Sequence, residues 1–274
     1  MSIKNILVAL APGGKSDPGR DFAISMASKL KGHVTGRAYA LEPEVAVDIF
    51  DGVPGEILQA HRAAVTKEAE AATKKFEEAA RRVKVEHSHG VARTTPGTAA
   101  AVFAREARVN DLSVVTQSAA GFEHVGEVFA EAAMFYSGRP VIVVPKKKHS
   151  EFSLDRVLIA WDGGAHAARA VAASMPLLAL AKKLEVLVVG NKVRVQETLA
   201  RDLVQNLDRH GFDVELTCRD EEDAAEIIAR EAKVSSATLL VMGGYGHSKL
   251  GEWIFGGVTR FMLKKSSVPM LMAH

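Results

Sequence analysis

The chain has 274 residues, a formal net charge of +2, 47% hydrophobic and 25% charged residues. This is the make-up of a globular protein long enough for two ordinary domains, without the broad field that draws a chain to nucleic acid or an anionic membrane. The single cysteine, Cys218, excludes an internal disulfide and suits a reducing compartment.

The apolar run Ile6-Leu7-Val8-Ala9-Leu10 predicts a buried strand. Lys4 and Asn5 precede it rather than an apolar helical segment, so no signal peptide is expected and the cytoplasm is the expected location. The strand runs into Ala9-Leu10-Ala11-Pro12-Gly13-Gly14-Lys15-Ser16, which meets the loosest phosphate-loop pattern with Ala9 in place of its first glycine. Glycine there permits the tight backbone wrap, and Asp17 as N-cap with Pro18 at the first helical position starts the helix too late. The stretch reads as a loop. Leu41–Pro54 is an apolar and acidic insertion, with partner binding and dimerisation as its two readings. The Ala, Glu and Lys pattern from about Glu56 to Arg82 predicts a long helix. His87 and His89 alternate on a strand and share a face; with no Cys or carboxylate at matching spacing nearby, they read as exposed edge histidines and no metal site is expected. Gly138–Pro145 places a proline at the start of another strand. Lys146–Ser153, "KKKHSEFS", reads as a solvated connector between a domain at 1–148 and a domain at 154–274.

The second half repeats the first. "DRVLIAWDGGA" at Asp155–Ala165 parallels "KNILVALAPGG" at Lys4–Gly14, and "SVPMLMA" at Ser267–Ala273 parallels "GRPVIVVP". Strands are predicted at Arg156–Trp161, Leu184–Val189, Asp213–Cys218, Thr238–Met242 and Val268–Met272. Helices are predicted at Ala165–Lys183, Arg194–His210, Glu221–Val234 and Val258–Lys265. Unbroken Val/Ile/Leu strands belong to parallel sheets covered on both faces. The fold class is α/β: two tandem Rossmann-like domains, each with a five-stranded parallel sheet flanked by helices. Pro140–Val144 and Pro269–Met272 read as edge strands open to pairing between the halves or to formation of a homodimer. The longest mostly apolar stretch, Ala170–Ala181, contains Pro176 and falls short of a membrane span.

Ligands of open α/β sheets bind beyond the carboxyl ends of the strands. The richest loop there is "VMGGYGHSKLGEWIFGGVTRFMLKK", Val241–Lys265. Gly243 and Gly246 follow a strand, and Gly256 and Gly257 precede Val258-Thr259-Arg260 at the start of the last helix. Glycines let backbone N–H groups approach an anion, and the helix start adds unpaired donors, so the loop reads as a triphosphate site.

The spacing Gly243-x2-Gly246-x9-Gly256 resembles the nucleotide motif of the universal stress protein family, in which Ser or Thr follows the third glycine. Val157-Leu158-Ile159-Ala160-Trp161-Asp162-Gly163 resembles that family's first strand with its terminal aspartate. The resemblance covers the whole chain as a tandem member. It implies a regulatory stress-response protein whose second domain binds ATP, with or without Mg²⁺, or another adenine nucleotide. By the same resemblance Asp162 faces the adenosine and Val189 packs on the base. Gly243 and Gly246 line the ribose and first phosphates, and Gly256 and Gly257 meet the later ones. His247, Val258 and Thr259 stand beside the phosphates. Gly257 departs from the family's Ser/Thr; the lost hydrogen bond is worth about 1.5–3 kcal/mol and predicts weak binding. In the first half Ala11 stands at the place of Asp162, and Gln117 and Ser118 at the first glycine pair. That half reads as a degenerate copy packed on the second as an intramolecular pseudo-dimer. The alternatives are a slow ATPase or nucleotidyl-transferring enzyme at the same loop, for which Asp162 and His247 are the groups offered, and an interaction scaffold that binds no nucleotide. Arg260 and Lys264 lie one turn apart as ligand contacts or surface charges, Tyr245 and Trp253 close over the site or pack, and Cys218 reads as a buried inert thiol.

Overall fold

A computed structural model describes residues 2–13, 16–44, 55–117, 125–146, 151–190, 193–245 and 257–274. In the first half, β1 (Asn5–Leu10), α1 (Pro18–Leu30), β2 (His33–Leu41), α2 (Gly55–Arg82) and β3 (Glu86–Thr94) come first. They are followed by α3 (Pro96–Ala107), β4 (Leu112–Thr116), α4 (Val125–Tyr136) and β5 (Val141–Val144). The second half repeats the order with β6 (Val157–Ala160), α5 (Ala165–Leu178), β7 (Leu184–Val189), α6 (Val193–Arg209) and β8 (Val214–Arg219). It ends with α7 (Ala224–Val234), β9 (Leu239–Gly243), α8 (Gly257–Lys265) and β10 (Met270–Ala273).

The strands form one ten-stranded sheet in the order β3-β2-β1-β4-β5-β10-β9-β6-β7-β8. Pairing within each half is parallel throughout, whereas β5 and β10 pair antiparallel, with Val143 opposite Met270 and Val141 opposite Met272. The sequence alone predicts two five-stranded sheets; the structure joins them. β5 and β10 are short and buried along their whole length, and mutual pairing satisfies the backbone groups that an edge would leave open. The edges of the sheet are instead β3 and β8.

Successive strand residues point to opposite faces. Ile6, Val8 and Ile159 pack under α1, α2, α5 and α6 with Phe22, Phe76, Leu177 and Leu207. Leu7 and Leu158 pack on the other face under α3, α4, α7 and α8, with Phe103, Phe129, Ile228 and Met262. Each core layer runs through both halves.

The connector departs from the reading as a solvated segment. Residues 147–150 lie outside the described residues, but Phe152 is only 2% exposed. Its ring meets Phe22 edge-on at 5.5 Å between centroids, its N–H donates to Ser25 Oγ at 3.1 Å, and its carbonyl accepts from Lys29 Nζ at 2.6 Å. One aromatic residue among charged neighbours is enough to pin the segment to α1. Of the insertion at Leu41–Pro54, residues 45–54 lie outside the described residues. Among those described, no helix is long and apolar enough to cross a membrane.

Candidate nucleotide site

The strand order of the second half reverses at β6, with β7 on one side and β9 on the other. The helix that follows β6 packs on one face of the sheet and the helix that follows β9 on the other. A crevice therefore opens beyond the carboxyl ends of β6 and β9, where doubly wound sheets hold ligands. Asp162 stands at the end of β6 and is folded into a turn by its own side chain: Oδ1 accepts the Gly164 N–H at 2.8 Å. Gly163 has φ +74°, a left-handed conformation that favours glycine, and lets the chain enter α5 at once. The start of α5 has neither a side-chain cap bond nor an acidic residue in its first turn. Val189, half-buried at the end of β7, offers an apolar surface one strand over.

Gly243 closes the other side of the crevice. A Cβ there would lie 2.6 Å from Ala167 N and 2.7 Å from the His166 carbonyl carbon, so the end of β9 presses directly on the first turn of α5. Close packing thus suffices to explain this glycine. Gly257 differs: it opens α8, is exposed, and a Cβ would meet nothing among the described residues within 4 Å. Val258 is half-buried, and Thr259 is buried with Oγ1 accepting the Tyr245 N–H at 3.0 Å. The Thr259 hydroxyl therefore fastens the two ends of the glycine loop together. Gly246, His247, Trp253 and Gly256 lie outside the described residues.

The base of the loop is clamped by the first half. Tyr245, at φ +57°, turns its ring onto Phe135 of α4 at 5.1 Å and donates its hydroxyl to Glu131. Burial and the Glu131 carboxylate push the phenol above its ordinary range. A Cβ on Gly244 would lie 2.5 Å from Met134 Sδ, and the Gly244 N–H donates to the Ala273 carbonyl at 2.9 Å. Tyr245 thus packs against α4. Glu131, Met134 and Phe135 carry no local signal for this role, because only the β5–β10 pairing brings α4 to the second half's loop.

Residues 153–274 match the model of the universal stress protein family. The match takes in the whole of the second half. A universal stress protein of Synechocystis is 30% identical over 139 residues, which cover 48% of this chain and 46% of that protein, so the match spans about half of each. The fold of the whole chain is that of a universal stress protein from Archaeoglobus fulgidus, with a TM-score of 0.73 at 15% identity over 98% of this chain and 97% of that one. A Pseudomonas aeruginosa protein of unknown function shares the fold with a TM-score of 0.64 at 16% identity, over 99% and 92% of the two chains.

The first half has the same topological reversal between β1 and β4, and a buried carboxylate lines its crevice. Asp17 caps α1 with Pro18 in the first turn, as its sequence predicts. Its Oδ2 accepts the Ala11 N–H at 2.9 Å; its Oδ1 accepts the Arg20 N–H at 3.1 Å and the Thr116 hydroxyl at 3.2 Å. Thr116 Oγ1 in turn accepts the Gly19 N–H at 3.0 Å. One side chain thereby ties together the end of β1, the start of α1 and the end of β4. Burial raises the Asp17 pKa, against the lowering effect of the hydrogen bonds from Ala11 and Arg20. Gly14 and Lys15 lie outside the described residues.

Three other groups singled out by sequence are placed as follows. The two strand histidines do have a carboxylate beside them: Glu77 of α2 brings Oε2 to 3.9 Å from His89 Nε2. Spacing along the chain could not show this, because the partner sits on another element. Cys218 is half-buried and burial pushes its thiol up, so it is held as the neutral thiol. Lys264 faces Glu127 of α4 at 4.0 Å, and Arg260 is exposed on the same helix.

Proposed function

We propose that the chain is an adenine-nucleotide-binding regulatory protein of the stress response, which holds ATP in the second half while the first half serves as a built-in packing partner. The observation that carries this reading is the contrast between the two crevices. Where the first half buries Asp17 across the start of α1, the second half presents the uncapped start of α5. It brings the start of α8, where Gly257 has open space among the described residues, to the same end of the sheet. An anionic phosphate chain is repelled by the buried Asp17 carboxylate and attracted by the start of α8. In the bound state Val189 covers one side of the base, Asp162 accepts a hydrogen bond from the nucleoside, and the N–H groups of Gly257, Val258 and Thr259 meet the phosphates. The clamp of Tyr245 on Glu131 makes the first half a structural support for the loop, which is the sense in which the chain works as an intramolecular pseudo-dimer.

Calorimetric titration of nucleotide-stripped protein with MgATP tests the reading. It predicts one weak site per chain. Two sites would refute the assignment of the first half, and no heat up to millimolar ligand would replace the nucleotide reading with that of an interaction scaffold. Phosphate release above background in the same samples would add an enzymatic activity at this loop.

A further inference from the structure

We propose that Glu77, His87 and His89 form a site for a divalent transition metal of the Zn²⁺ class on the outer strand β3, independent of the nucleotide crevice. One ligand atom from each residue lies within 4.8 Å of the other two. A tetrahedral metal with bonds of about 2.0–2.1 Å holds its ligand atoms about 3.3 Å apart. The 3.9 Å between His89 Nε2 and Glu77 Oε2 therefore needs to close by only about half an ångström, a small side-chain rotation. Two imidazoles and a carboxylate are a donor set for Zn²⁺ and its neighbours rather than for Mg²⁺ or Ca²⁺, which take oxygen ligands.

Several features orient the three groups. The strand alternation puts both histidines on one face of β3, where their rings stack at 17° with centroids 6.4 Å apart. The fully buried Phe76 lies beneath them with its centroid 6.0 Å from His87 and 6.5 Å from His89, fixing an apolar floor. His87 Nδ1 sits 2.9 Å from the Val85 carbonyl; it can only donate there, which leaves the Nε2 lone pair for a metal. A backbone carbonyl on the second ring nitrogen is the usual support of a metal-bound histidine. On Glu77 the other oxygen, Oε1, is taken by Arg81 at 2.6 Å, so the carboxylate is turned with Oε2 toward His89. Glu77 and His89 remain a quarter and a third exposed, which gives a metal a path of entry and leaves its fourth position to water.

The test is titration of the full chain, free of nucleotide, with Zn²⁺ by calorimetry and with Co²⁺ by visible absorption. Saturable one-to-one binding is expected, with the intense absorption of tetrahedral Co²⁺. Glu77→Gln and His89→Ala change partly exposed side chains and should stay folded by circular dichroism. Each should weaken binding by more than the roughly tenfold that loss of even an outer-shell partner costs. His61→Ala, on the exposed part of α2, should bind as the parent does. Absence of binding, equal binding in all four proteins, or a loss in His89→Ala that Glu77→Gln does not share would overturn the three-ligand site.

Discussion

Replacing Gly257 by serine should tighten nucleotide binding. The position opens α8, has no positive φ, and a Cβ there meets nothing within 4 Å among the described residues, so the new side chain displaces none of them. A serine hydroxyl at the first turn of a helix points toward the anion that the helix start attracts. One hydrogen bond to a charged phosphate contributes about 1.5–3 kcal/mol, which is about a ten- to hundredfold gain in affinity at 1.4 kcal/mol per decade. Gly257→Ala separates this effect from stiffening of the helix, since alanine raises helix propensity without adding a donor. Calorimetric titrations of the three proteins with MgATP should give a gain for serine only. Equal gains for serine and alanine would show that helix order is what limits the site. A loss for serine would mean that the phosphates do not reach the start of α8.

Three further outcomes follow from the packing around the two crevices. Gly243→Ala drives a Cβ to 2.6 Å from Ala167 N, a backbone atom that cannot step aside; overpacking of about 1–3 kcal/mol should lower the melting temperature by roughly 2–10 °C in a scan. Tyr245→Phe removes the hydroxyl bonded to Glu131 and should cost about 1–3 kcal/mol. In a double-mutant cycle with Glu131→Ala the two losses should fall short of additivity by at least about 0.5 kcal/mol, and strict additivity would show that the clamp carries no energy. Because burial raises the Asp17 pKa, the folded chain takes up its proton at higher pH than the unfolded chain does. Ionised Asp17 thus costs stability at neutral pH, and that cost fades as pH falls through the raised value toward the ordinary carboxylate range. The stability advantage of the parent over Asp17→Ala, from denaturant titrations, should therefore be larger at about pH 4.5 than at about pH 7; an advantage that shrinks on acidification would contradict the sign.

Much of this architecture could be read from residue pattern because its causes are local. An apolar run such as Leu184–Val189, interrupted only by Glu185, is a strand buried on both faces wherever it stands, and the strand is found at those residues. Asp17-Pro18 is a cap whose partners lie within a few residues, and α1 begins there. What escaped the sequence depends on partners far along the chain. Asp17 also holds Thr116, the link that ties the cap to the end of β4. Tyr245 meets Glu131, and His89 meets Glu77, only after the sheet has set α4 and α2 in place. Phe152 was masked by its charged neighbours, where composition outweighed the one residue that reaches the core.

The nucleotide is expected in the second half and not in the first. Photolabelling of the full chain with azido-ATP, followed by peptide mapping, tests this most directly. Label competed away by ATP is predicted in peptides from around Asp162 and Val189 and in those spanning Gly243 to Arg260. Label concentrated in the peptide from Ala11 to Arg20 would contradict it, since the buried Asp17 carboxylate would then lie at the phosphate site itself.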